Sequence, residues 1–565
     1  MLIPSPGRVV ARVLKRSVRT YAAEYFDVNL PAEIAAGMMW SLRVSVRNTS
    51  DWIWVREEPE GKNVDLTVWI DGRIAVTHAL PAAEIHPGQH VHVRLPLQIP
   101  DSAGTHEIVI DMIEQNVARF QDKGSVPHRQ AIKVIAAPVT TSAMLQEKVN
   151  RICPWNYQPS GGLQVGAGDA RYPLFVARSK GCRFWDAEDR SYLDYVMGWG
   201  SALLGYAEPR VQSAVRNVLD SGAVLPLPHA LEVEVAEMLT EDIPCAERVV
   251  FGKNGSDACT VAARLSRAYT GRKIILYSGY HGWQDWWVEQ VGFENCGVPD
   301  REAPIIHRFK FNDRADFQRL FDLYKHDLAA VMLEPSGPAE GPQGSPQDAD
   351  PSFLRLLADS AHRAGALLVF DEIMTGFRYP GGSVQKATGV IPDLCCLGKA
   401  LGGGMPLSAL VGRAGIMESA MHRTHYGPTF KGEIYSLAAA KAALEIYRAE
   451  PVAEHVWAHG QKLREGINRL ADEVGVNARC VGPAFRSTIV FSDDDVSLVR
   501  LKRTLYFQEL LKRGIMTYNG FMLPCYAHDD RALDEALQSA GEAFECVAQA
   551  VRSGTLERAI EIPLL

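Results

Sequence analysis

The first 152 residues of this 565-residue chain contain no cysteine; all ten cysteines lie at Cys153 or later. They form no Cys-x-x-Cys pair and no Cys/His spacing suited to zinc. A chain this long can bury a core without covalent staples, so reduced, mostly buried thiols are expected. No apolar run approaches the roughly 20 residues that a membrane-spanning helix needs. There is no basic excess either. Lys and Arg number 59 against 67 Asp and Glu, a formal charge of −8. That disfavours nucleic acid as the main partner, because phosphate binding needs a basic footprint. The start has no long apolar core and no small-residue cleavage site, so the cytoplasm is the expected location.

What is there falls into stretches of different character. Residues 1–22 carry no acid, and Arg8, Arg12, Lys15, Arg16 and Arg19 alternate with Val9, Val10, Val13, Leu14 and Val18. This reads as a basic terminus, or as an amphipathic helix able to lie on an anionic membrane surface. Residues 23–137 read as short strands. Leu42, Val44 and Val46 alternate with polar residues, and Leu66–Ile70 meets Asp71-Gly72, a hairpin signal. Pro87-Gly88 precedes a second alternation through Val91, Val93, Leu95, Leu97 and Ile99. An antiparallel β-sandwich domain is expected, similar in layout to the immunoglobulin-like sandwiches beside bacterial surface-carbohydrate proteins. Trp40, Trp52, Trp54 and Trp69 would be core, or a platform for carbohydrate contact. Residues 138–150 read as a linker.

From 151 to 565 apolar strand-like runs alternate with helical stretches, an α/β pattern with a mostly parallel sheet. Within it lie the residues that carry chemistry. Leu367–Phe370 runs directly into Asp371-Glu372, and Lys399 follows 28 residues after Asp371, inside Leu397-Gly398-Lys399-Ala400-Leu401-Gly402. A lysine among glycine and apolar residues is placed for burial, which lowers an amine pKa and makes it nucleophilic toward carbonyls. Schiff-base chemistry with pyridoxal 5'-phosphate needs such a lysine, and an acid paired with the pyridine nitrogen. Asn254-Gly255-Ser256-Asp257 follows a strand and opens a helix, a place where exposed N–H groups favour phosphate.

These stretches, Asp371–Arg378 and Asp393–Gly404 above all, resemble the class III pyridoxal-phosphate aminotransferases and their glutamate-1-semialdehyde aminomutase subgroup. The resemblance covers residues 151–565. It implies fold type I, with a large mixed, mostly parallel sheet domain at about 225–450. A small α/β domain would form from 151–224 and 451–565. It also implies roles. Lys399 and Asp371 would be catalytic, with Gly255 and Ser256 at the cofactor phosphate. Tyr280 would stack on the ring, and Glu334, in Leu333-Glu334-Pro335, would lie near ring and lysine. Thr429 would reach the phosphate of the neighbouring subunit, making a homodimer with shared sites. Trp199 and His281 would face substrate, and Trp283, Trp286 and Trp287 would shape the pocket mouth or pack as core. No metal is implied.

Two departures bear on the reaction. The stretch Gly161–Gly168 lacks the arginine with which aminomutases grip a substrate carboxylate, and Gly520 stands where they carry a glutamate. An aminotransferase acting between a small-molecule amino donor and an aldehyde or ketone acceptor is therefore favoured over an intramolecular aminomutase. Bacterial surface-carbohydrate biosynthesis would suit the fused β-sandwich. A carbohydrate-binding or assembly protein on a degenerate enzyme fold, and an ammonia-lyase, stay open as alternatives.

Overall fold

The computed structural model describes residues 19–36, 39–56, 63–100, 102–135, 141–152, 175–288, 304–340, 345–517, 520–562 and 564. The basic stretch 1–18, residues 138–140, Gly161–Gly168 and Arg171 lie outside the described residues. The chain divides into two compact units, with main bodies Met1–Arg151 and Tyr172–Ile560.

The first unit is built of strands. Met39–Asn48 lies between Ala23–Phe26 and His90–Gln98 in a three-stranded sheet. A second sheet runs in the order Glu33–Ala35, His128–Ile135, Gly104–Glu114, Val64–Ile70, Arg73–Ala79. Alternation dictates which side chains turn inward. Leu42, Val44, Val46, Val93, Leu95 and Leu97 from one sheet meet Leu66, Val68, Ile108, Ile110 and Ile132 from the other in one core. Asp71 and Gly72 both have positive φ, 49° and 79°, the backbone that a two-residue hairpin needs to match strand twist. Trp54 and Trp69 are fully buried, and Trp40 and Trp52 are partly buried against the core. Trp54 and Trp69 are therefore core and offer no stacking surface to a sugar. Arg19 pairs with Glu114 at 3.0 Å and lies over the Trp52 ring, so it is held by this unit. The expected linker is partly helical. Its Ala, Met, Leu, Gln, Glu and Lys favour a helix, and Thr141–Ile152 forms one.

The second unit is organised by a seven-stranded sheet. Its strands are β1 (Arg248–Gly252), β2 (Ile274–Ser278), β3 (Ile306–Arg308), β4 (Leu328–Leu333), β5 (Leu367–Asp371), β6 (Leu394–Leu397) and β7 (Ser408–Gly412). They lie in the order β1-β7-β6-β5-β4-β2-β3, all parallel except β7, which runs antiparallel to both neighbours. Helices cover both faces, so the central strands are apolar on both sides. Every residue of β2, β4, β5 and β6 is buried. This is the large mixed, mostly parallel sheet that the resemblance implies. The two ends of the unit meet in strand pairs, with Ser191–Asp194 alongside Ile515–Met516 in parallel. Ala478–Val481, Ser487–Phe491 and Phe521–Met522 make a further small sheet. No described helix is long and apolar enough to cross a membrane.

Candidate active site

Parallel strands bring their carboxyl ends to one edge, where open α/β sheets bind ligands. The register Ser278↔Leu333, Leu333↔Phe370 and Asp371↔Cys396 aligns the ends of β2, β4, β5 and β6. The residues that follow each end, Tyr280-His281, Glu334, Asp371-Glu372 and Lys399, therefore gather on one rim.

Asp371 is buried and fixed from two sides. Its Oδ2 accepts a 2.6 Å hydrogen bond from His281 Nδ1 and a 3.3 Å one from the Cys259 thiol. Its Oδ1 accepts from the Ile373 N–H at 3.1 Å. Burial pushes the Cys259 thiol well above its ordinary pKa, so it remains a protonated donor. The sequence pattern puts His281 on the substrate side; the structure corrects this. His281 is buried behind Asp371, packed on Trp287 with ring centres 4.5 Å apart. Trp287 is core, Trp286 donates to Thr260 Oγ1 at 2.8 Å, and Trp283 is exposed.

Glu372, adjacent in sequence, points the other way. It is fully buried and accepts from Ser383 Oγ, the Val384 N–H and Gln385 Nε2 at 2.7, 2.8 and 3.0 Å. Of the paired carboxylates, one faces the rim and the other holds the scaffold.

Lys399 opens a short turn, Lys399–Gly402, with φ of 45°, in the left-handed region that costs a non-glycine residue of order 1 kcal/mol. Burial lowers its pKa to about 8; the Arg486 and Arg378 cations push the same way, against Glu334 and Asp371. Glu334 is buried, and burial raises its carboxyl above the usual range while Arg486 pulls it down.

The helix Gly255–Thr270, α1, begins at the same rim. Asn254 caps it by accepting from the Asp257 N–H at 3.1 Å, and Asp257 accepts from the Asn254 N–H at 3.2 Å. Ile373 is the plug around which three segments close. A Cβ on Gly255 would lie 2.7 Å from Ile373 Cδ1, and one on Gly398 would lie 3.4 Å from Ile373 Cγ2. Gly282, at φ 118°, lets the Tyr280-containing loop touch α1, for a Cβ there would lie 2.5 Å from Ser256 Oγ. That oxygen accepts from the Trp283 N–H at 3.3 Å. Tyr280 is half exposed on this loop.

Trp199 sits on a run of left-handed residues, Met197 to Gly200, with φ from 48° to 81°. Asp194 anchors that run by accepting from the Val196 and Met197 N–H groups at 2.7 and 3.2 Å. Arg378 staples it to the Asp371 segment, donating to the Gly200 carbonyl and, at 3.0 Å, to the Met374 carbonyl. Thr429 is exposed. Its loop is held through Glu433, which pairs with Lys253 at 2.9 Å and caps the helix Ile434–Ala449. Arg486, Cys259 and Lys253 do not stand out in the sequence, because only the fold brings them to their partners.

The residues fit pyridoxal phosphate. An amine with a lowered pKa, a carboxylate held in place and the start of a capped helix share one rim.

Comparisons with known proteins agree. A family model described as aminotransferase class-III matches residues 165–542. The chain is 31% identical over 395 residues to a 3-aminobutyryl-CoA aminotransferase of Cloacimonas acidaminovorans, covering 69% of this chain and 91% of that protein. It is 32% identical over 437 residues to a glutamate-1-semialdehyde 2,1-aminomutase of Syntrophobacter fumaroxidans, covering 71% and 97%. Among solved structures, the FumI protein of Sphingopyxis sp. MTA144, determined with its cofactor, superposes with a TM-score of 0.67 at 28% identity, covering 73% and 97%.

Proposed function

The chain belongs to the class-III aminotransferases, enzymes whose cofactor is pyridoxal phosphate, and from that premise we propose that it moves an amino group between two molecules, from a small-molecule amino donor to an aldehyde or ketone acceptor. The observation that carries this reading is the Lys399 amine, with its pKa near 8, on one rim with a doubly anchored Asp371.

Bound pyridoxal phosphate supplies a ring that accepts electron density from the substrate carbon. Asp371 would face the ring nitrogen and keep a proton there, and His281 and Cys259 hold that carboxylate in position. Lys399 Nζ would hold the cofactor and would take and return the proton at the substrate carbon; a pKa close to the working pH suits both tasks. Gly255 and Ser256 offer first-turn N–H groups to the phosphate. Tyr280 covers a ring face, Glu334 stands beside Lys399, and Trp199 walls the substrate side. Thr429, exposed in one chain, serves the phosphate of a second subunit, so the working unit is a homodimer. Transfer between molecules is supported by Gly520. A Cβ there would lie 2.7 Å from Phe507 Cζ, which leaves no room for the glutamate that aminomutases carry.

The test is half-reaction spectroscopy of the purified holoenzyme across amino donors. Loss of the visible cofactor band with a donor, and its return with a carbonyl acceptor, is the expected result. K399A should capture no cofactor covalently. Turnover of glutamate-1-semialdehyde alone, with no second substrate, would replace this reading by the mutase.

A further inference from the structure

We infer that Tyr206 is a positioning residue for substrate discrimination: by holding the Asp194 carboxylate it fixes Trp199 in place, and so sets how large a group the site admits. The inference rests on the reading of Trp199 as the wall of the substrate side and deepens it.

Met197, Gly198, Trp199 and Gly200 follow one another with φ of 48°, 56°, 58° and 81°. An L side chain crowds its own backbone in this region, so Met197 and Trp199 keep it only while their surroundings impose it. The constraint comes from behind the loop. Asp194 Oδ1 accepts from the Val196 N–H at 2.7 Å, and Oδ2 accepts from the Met197 N–H at 3.2 Å. Oδ2 also accepts from the Tyr206 hydroxyl at 2.6 Å, and among the described residues no other side chain hydrogen-bonds this carboxylate. Asp194 is buried, which pushes its carboxyl up to about 6; the Tyr206 hydrogen bond is the strongest pull the other way. A buried carboxylate needs such donors to stay where it is.

Tyr206 is itself clamped. Its N–H donates to the Gly181 carbonyl at 2.7 Å, and its carbonyl accepts from the Gly181 N–H at 2.8 Å. Its ring lies against the loop, for a Cβ on Gly198 would sit 3.9 Å from both Tyr206 Cε1 and the hydroxyl oxygen. The Met197 side chain is buried with Ala202 and Cys525, and Tyr206 packs against the same cluster. A chain of direct contacts therefore runs from Gly181 through Tyr206 and Asp194 to Met197, two residues before Trp199. Arg378 holds the far side of the indole at the Gly200 carbonyl. The near side depends on Asp194, and Asp194 depends on Tyr206. Without the hydroxyl, the carboxylate keeps only the two N–H groups of the very segment it has to restrain.

Access past Trp199 can be read without the natural donor. Hydroxylamine, O-methylhydroxylamine and O-benzylhydroxylamine each add their nitrogen to the cofactor carbon that Lys399 holds, form an oxime there and release the lysine amine, so the visible cofactor band is lost. The second-order rate of that loss is measured on holoenzyme of wild type, Y206F, W199A and the double variant. The rate with the smallest reagent divided by that with the largest is the size discrimination. W199A should lower it. Y206F should lower it by about 3- to 30-fold, within the span of coupling between contacting residues, and should change it no further once the indole is gone. Hydrogen exchange over residues 195–200, read by mass spectrometry, should quicken at least about 5-fold in Y206F. If Y206F does not fold, D194N carries both measurements, with the same direction expected. A discrimination in Y206F equal to the wild type's, the same effect of Y206F with and without Trp199, or unchanged exchange over 195–200 would each mark Tyr206 as merely structural and overturn the inference. A discrimination in W199A equal to the wild type's would instead sink the reading of Trp199 as the wall and take this inference with it.

Discussion

Replacing Glu372 by alanine should unfold this enzyme's catalytic unit far more readily, although Glu372 makes none of the contacts assigned to chemistry. Three donors converge on its carboxylate: Ser383 Oγ, the Val384 N–H and Gln385 Nε2. The Thr375 hydroxyl at 3.5 Å and the Cys395 thiol at 3.7 Å add two weaker contacts. Gln385 in turn accepts from the Cys245 N–H at 3.1 Å, so the carboxylate fastens the helix Val384–Thr388 and a more distant loop to the end of β5. Alanine would leave the three donors buried and unanswered. Each stranded donor costs about 1–3 kcal/mol, and a water entering the vacated space recovers part of this. The expected net loss is about 3–5 kcal/mol, a large share of the roughly 5–15 kcal/mol that holds a typical domain together. Urea unfolding followed by helical circular dichroism reports this unit, since the long described helices lie within it. E372Q keeps the shape and one strong acceptor, so it should lose clearly less. A midpoint for E372A that implies less than about 1 kcal/mol of destabilisation would refute the division of labour between Asp371 and Glu372.

Two further outcomes follow from the site. Capture of added pyridoxal phosphate by the apoprotein should accelerate as pH rises through about 8, where Lys399 loses its proton. Glu334 stabilises the ammonium form, so E334Q should move that midpoint to lower pH; Arg486 does the opposite, so R486Q should move it higher. A midpoint common to all three proteins would contradict the assigned environment. Secondly, G282A places a Cβ 2.5 Å from Ser256 Oγ and 3.0 Å from its Cα, on backbone at φ 118°. It should cost about 2–3 kcal/mol in urea unfolding and weaken cofactor affinity, because the Tyr280 loop must lift away from α1. Wild-type affinity and stability in G282A would show that this close approach is dispensable.

Much of the second unit is legible in the sequence, for a physical reason. Strands buried on both faces must be continuously apolar, so Val331–Leu333 and Leu367–Phe370 stand out, and the residues just past their ends mark the rim. Lys399 and Asp371 are legible because each breaks an apolar or glycine-rich context. His281 is misread because it stands beside Tyr280 in one motif. Neighbours in extended chain point to opposite sides, and there the tyrosine faces outward while the histidine turns in to Asp371. Cys259 and Arg486 leave no local signal. One lies on an otherwise ordinary buried helix face, the other on a turn 87 residues beyond Lys399, and only tertiary packing gives either a partner. In the first unit the Asp71-Gly72 turn is readable from its dipeptide. The fate of the four tryptophans is not, since a strand tryptophan on the inner face and one on the outer face look alike without the register.

Arg378 ties two properties that would otherwise vary independently. Among the described residues no carboxylate pairs with its guanidinium; it is fully buried and bonded to the Gly200 and Met374 carbonyls, and its own pKa falls to about 10. The positive charge that shapes the Trp199 loop therefore also reaches Lys399 and loosens its proton. An enzyme evolving toward a new substrate by reshaping that loop through Arg378 would at the same moment retune the basicity of its reactive amine. New specificity is reached at less risk to the chemistry from side chains placed around the loop than from the staple that holds it.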